Sequence, residues 1–134
     1  STNRPREDTK VLCDHDLTNI PGKSIIGAHL DYPLNGFTPP HRHGGTIVVA
    51  CILLGELLSG INGNSPEIYK PGKTFVELPG CHRTVGETTS RTASRQVIAV
   101  LVADTEVVKA GGYAALTVLD KDADLPRNSI LSNM

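Results

Sequence analysis

The chain has 134 residues, a formal net charge of −1 at pH 7 and 39% hydrophobic residues, enough for one buried core and too few for two. Its 13 basic and 14 acidic residues are scattered rather than clustered, which argues against nucleic acid or an anionic membrane as a partner, and no apolar run reaches the length of a membrane span. The three cysteines, Cys13, Cys51 and Cys81, are odd in number and far apart, which predicts free thiols in a reducing, cytoplasmic setting rather than a disulfide framework.

Residues 1–10 hold two arginines, a proline and an acidic pair with no periodicity, and predict a loose N-terminal arm without a secretory pattern. Lys23 to Leu30 predicts the first strand, and Asp31 to Gly36 a turn region. Pro39-Pro40 cannot pair in the middle of a sheet, so the chain should reach His41 at an edge or in an extended segment. Thr46 to Leu54 is a nearly continuous apolar run between Gly45 and Gly55. It reads as a strand buried on both faces, with a short buried helix as the alternative that fits the same pattern. Leu57 to Ile61 and Glu67 to Tyr69 flank Asn62-Gly63, a strong hairpin signal. Thr74 to Leu78, His82 to Val85 and Gln96 to Val102 predict further strands, with a polar loop from Glu87 to Ser94 and a weaker strand over Ala114 to Leu119. Many short strands divided by turn residues, with almost no helical period, predict an all-β barrel or jelly roll over residues 11–119 and a tail over 120–134.

The chemistry centres on His41 and His43. Two residues apart on a strand, their side chains share one face and can close on one metal ion. His82, just past Pro79-Gly80, is the only later histidine and the candidate third ligand. Glu77 stands in the apolar stretch Thr74-Phe75-Val76-Glu77-Leu78, where alternation gives it the face of Phe75. If Phe75 is core, Glu77 points into the barrel, where an unpaired carboxylate is costly. It is then a metal ligand or a general base of raised pKa beside the metal; a salt-bridged glutamate at the rim is the alternative. Arg42 must face away from the two histidines, and Cys81 away from His82. His29, Tyr32 and Val48 are candidates for the substrate pocket.

These residues resemble the cupin family, small barrels whose first motif reads roughly G-x5-H-x-H-x3/4-E-x6-G and whose second reads G-x5-P-x-G-x2-H-x3-N. Gly36, His41, His43 and Gly55 fit the first, with one residue of slack before His41. Gly72, Pro79, Gly80 and His82 fit the second with small shifts in spacing. The first-motif glutamate is absent, with Ile47 and Val48 in its place, and the closing asparagine is Gly86. The resemblance implies a cupin-like double-stranded β-helix (jelly-roll) barrel holding one divalent metal ion, iron first, with zinc, nickel or manganese as alternatives. It also implies a homodimer, with arm and tail long enough to cross onto a partner.

Cupins lacking the motif glutamate look like three-histidine non-haem iron dioxygenases, which bind an enolate or thiolate on the metal. A dioxygenase acting on a small enolisable or polyketide-like molecule, with Glu77 taking the substrate proton, is the function this implies. A non-redox isomerase, dehydratase or cyclase, with the metal as Lewis acid and Glu77 as acid/base, is the second reading. A cupin that only binds a small molecule is the third.

Overall fold

The computed structural model describes residues 4–88 and 94–120. Most of the loop expected over 87–94, and the expected tail beyond Asp120, lie outside the described residues. Strands β1 (Asp8–Asp16), β2 (Lys23–Tyr32), β4 (Ile47–Leu54), β7 (Thr74–Glu77) and β9 (Arg95–Asp104) form one sheet in the order β1-β2-β9-β4-β7. Strands β3 (His41–Arg42), β5 (Leu57–Ile61), β6 (Glu67–Tyr69), β8 (His82–Thr88) and β10 (Val118–Leu119) form the other, in the order β10-β3-β8-β5-β6. Every pairing between these strands is antiparallel. No helix among the described residues is long and apolar enough to cross a membrane.

Alternation sets what lies between the sheets. Along β9, Val97, Ala99, Leu101 and Ala103 are buried while the residues between them are partly exposed. Two apolar clusters follow, one around Ile26, Val48 and Leu101, the other around Tyr32, Ile52, Leu57 and Phe75. The hairpin after β5 turns at Asn62 (φ 55°) and Gly63 (φ 74°), the paired left-handed conformation that Asn-Gly adopts at least cost.

Three elements differ from the expectation. The run from Thr46 to Leu54 is buried on one face, not two: Val48, Ala50 and Ile52 point inward, while Val49 and Leu53 are exposed. Its continuous apolarity hid the alternation. Strand β1 begins at Asp8, inside the expected arm, and pairs with β2 along its length. It is mostly exposed and held by the backbone ladder, so no apolar pattern marks it. The segment after β9 forms a helix, α1 (Thr105–Gly111), and a 3₁₀ turn (Tyr113–Leu116), leaving only Val118–Leu119 of the expected last strand. The helix buries no residue, so its sequence has no amphipathic stripe to read.

Residues ahead of β1 are tied to the barrel. Arg6 pairs with buried Glu7 at 2.9 Å, Arg4 forms an ion pair with Glu87, and the backbone at Arg6 bridges to Phe37. Arg6 and Glu7 also line the interior cavity.

Candidate metal centre

Strand β3 is only two residues long, yet it fixes the site. It pairs with β8 so that His41 lies opposite Arg83 and Arg42 opposite His82; residues directly opposite share a face. His41 is therefore inside, 2% exposed. Its Nδ1 donates to the Pro39 carbonyl at 2.7 Å, a contact made by the extended Pro-Pro approach. His43 folds back beside it, with Nδ1 donating to the Leu116 carbonyl at 2.8 Å. A carbonyl can only accept, so both rings carry a proton on Nδ1 and turn Nε2 inward.

Those two Nε2 atoms lie 3.0 Å apart. Two ring nitrogens that close are held together by a cation between them, a proton or a metal ion. Glu77 completes the group. Register places it opposite Val48, one step along from Phe75 opposite Ala50, and it is 2% exposed. The inward Glu77 expected from alternation with Phe75 is what the structure holds. Its Oε1 is 3.6 Å from His41 Nε2 and 3.5 Å from His43 Nε2, and has no hydrogen-bond partner among the described residues. Burial pushes the Glu77 carboxyl up, but the Arg83 guanidinium and the two imidazoles outweigh it and hold it at about 2. Burial pushes His43 down, with the Glu77 carboxylate opposing. The group is thus two imidazoles and one ionised carboxylate, converging groups of the kind that bind a divalent transition metal. His41, His43 and Glu77 could hold one.

Glu77 was also a candidate base of raised pKa. Its pKa is lowered instead, which suits a ligand and makes a weak proton acceptor at neutral pH.

The expected third ligand is elsewhere. His82 faces outward with Arg42, and its Nε2 meets the Asp120 carboxylate at 2.8 Å. His29 is likewise outside, on β2 between Ala28 and Leu30, which line the interior. Tyr32 and Val48 do line the cavity beside the two histidines and Glu77. Tyr32 is fully buried, its hydroxyl bonded to Thr38, which in turn donates to Glu7 at 3.0 Å. The cavity volume is about 60 Å³, walled mainly by aliphatic side chains and Phe75.

No protein-family model matches the chain. In sequence it is 30% identical over 70 residues to a putative germin-like protein 2-3 of Oryza sativa subsp. japonica, a match covering 46% of this chain and 31% of the relative. The matched stretch thus spans about a third of that relative's length. In structure it is similar to the DMSP lyase DddQ from Ruegeria pomeroyi DSS-3, with a TM-score of 0.63 and 19% identity over 85% of this chain and 51% of that one. It is also similar to the cupin domain of Schizosaccharomyces pombe Cnp3, with a TM-score of 0.61 and 15% identity over 78% of this chain and 66% of that one. The chain has the cupin fold.

Without slack from Gly72, the second cupin motif puts its proline position on Leu78, its glycine on Gly80 and its histidine position on Arg83, not on His82. The register agrees, since Arg83 is the inward residue of that pair, 5% exposed. The allowance that reached His82 moved the ligand position by one residue, and one residue changes face. A guanidinium offers no lone pair to a metal. In this cupin fold the inner face therefore carries two imidazoles, a carboxylate and a buried cation.

Proposed function

We propose that this chain is a metal-dependent cupin enzyme acting on a small organic molecule held in the cavity beside His41, His43 and Glu77. The observation that carries the reading is the convergence of two Nε2 atoms 3.0 Å apart on a buried carboxylate oxygen that has no hydrogen-bond partner among the described residues. All three are groups whose burial is costly without a cation to share them. Two histidines and one carboxylate with open positions are the donor set of non-haem iron oxygenases, so the first reading is an iron-dependent dioxygenase. When bound, the metal would supply a Lewis-acidic, redox-active centre with positions open to substrate.

The chain's own residues set the rest. Pro39 and Leu116 orient the two imidazoles through their carbonyls, as the outer partners of metal-binding histidines do. Val48, Phe75 and Leu101 wall the cavity and limit water. Its 60 Å³ has room for on the order of four to six waters, which favours a substrate of a few heavy atoms over a polyketide-like one. A second reading, a lyase or isomerase using the metal only as a Lewis acid, is favoured by the structural similarity to a DMSP lyase.

Elemental analysis of protein purified without added metal tests the proposal, repeated on His41→Ala and Glu77→Ala. Stoichiometric iron, absent from both variants, is expected, together with oxygen uptake on turnover. Zinc, nickel or manganese without oxygen uptake would move the assignment to the second reading. A parent protein that neither contains metal nor rebinds added metal would overturn both.

A further inference from the structure

The cavity carries one strong group that a metal centre leaves unused. Arg83 lies across from His41 on β8 and lines the same cavity as His41, His43 and Glu77. Its guanidinium carbon sits 5.0 Å from the centroid of the Phe75 ring. Gly86 leaves room for it, since a Cβ there would stand 2.7 Å from Nη2. Burial works against the charge, but Tyr32, Glu77 and Glu7 outweigh it and raise the pKa further. Arg83 is a permanent buried cation.

Among the described residues, its Nε and Nη2 have no hydrogen-bond partner. These two N–H groups form one edge of the guanidinium, the parallel pair that grips a carboxylate with both oxygens. The carboxylates lining the cavity leave this edge unmet: Glu7 pairs with Arg6 at 2.9 Å, and Glu77 lies beside the two imidazoles with no ion pair to Arg83. A buried donor pair left unmatched is costly, and stacking on Phe75 does not satisfy the edge. Charge points the same way. Arg6 and Glu7 offset each other and Glu77 offsets Arg83, so a divalent ion at the histidines leaves the interior with two uncompensated positive charges. A carboxylate ligand offsets one of them.

We propose that Arg83 anchors the carboxylate of the substrate, so that the substrates of this cupin-fold chain are small organic acids, held by the guanidinium at one end and facing the histidine–glutamate group at the other. The inference rests on the metal-dependent reading above for that second end. It assigns Arg83 a binding role at the position where the second cupin motif places a histidine.

The test is calorimetric titration of glycolate into the parent protein and Arg83→Gln, each metal-loaded and each chelator-treated, with metal content measured separately. The expected result is unchanged metal stoichiometry in Arg83→Gln and a loss of glycolate affinity of about tenfold or more. Full metal content with undiminished glycolate affinity would overturn the proposal and leave the metal reading standing. If the parent holds no metal, the metal reading fails alone: glycolate binding that still depends on Arg83 supports the carboxylate anchor, and binding that does not, or no binding, overturns it. Should Arg83→Gln fail to fold, Arg83→Lys decides, because it keeps the charge but not the two-donor edge. Undiminished affinity in Arg83→Lys overturns the proposal, and a fall of about tenfold supports it.

Discussion

Two neighbouring rungs of the β3–β8 ladder each pair one histidine with one arginine, and their fates are opposite. On the inner rung, His41 and Arg83 are 2% and 5% exposed and face the Glu77 carboxylate and the cavity. On the outer rung, Arg42 donates to the Gly80 carbonyl at 3.0 Å, and His82 meets Asp120 with about a quarter of its side chain exposed. The residue types are the same, so composition does not separate a site from a surface. Face does, and with it the dielectric in which each charge acts.

The sharpest way to break that comparison is to move the imidazole from the outer rung to the inner one. In Arg83→His the interior gains a third imidazole beside His41 and loses its cation. Metal should be held more tightly, by about tenfold or more in competition with a chelator, while glycolate affinity falls as in Arg83→Gln. Unchanged metal affinity would mean that position 83 does not face the histidines, and the register-based account of the site would fail with it.

The carboxylate that the inner rung faces also predicts an acid sensitivity. Glu77 is held at about 2 against an ordinary 4.5. Its folded pKa lies below the unfolded one, so between those values the unfolded chain binds more protons and stability rises with pH. The contribution is fully present above about 4.5 and is lost as pH falls toward 2. For a carboxylate this buried, it is worth about 3 kcal/mol in the metal-free protein. Denaturant unfolding of chelator-treated protein between pH 3 and 6, ranges taken from about these values, should therefore show a slope that Glu77→Gln flattens. An equal slope in the variant would place the acid sensitivity elsewhere.

Much of this was legible in the chain. Alternation from Phe75 put Glu77 inside, and the His-x-His spacing put His41 and His43 together, because each pattern lies within one short segment. The Asn62-Gly63 turn and the strands flanking it were legible for the same local reason. Position 83 was not. Reaching it means counting through Pro79-Gly80-Cys81, where Gly80 takes φ 82° and the strand period is interrupted. An allowance of one residue there costs nothing in the motif and changes the face in the fold. Strand β1 was hidden because an exposed edge strand needs no apolar stripe, and α1 because it buries no residue. What remained invisible was set by pairing between distant segments rather than by local pattern.

The outer rung gives the smallest effect and the cleanest control. His82→Ala removes an ion pair that is partly exposed on both sides, 25% and 33% by side chain. Such a pair contributes about 1 kcal/mol or less once solvent screening is counted. The variant should therefore keep its metal, its glycolate affinity and nearly all of its stability, with any loss vanishing in high salt. Metal analysis and a thermal melt at two salt concentrations check this. Loss of metal in His82→Ala would restore the three-histidine site, because a side chain directed away from the cavity has no route to the ion; the observed pairing of β3 with β8 would then be off by one residue. Retention of metal there, beside its loss in His41→Ala, would locate the chemistry on one face of a two-residue strand.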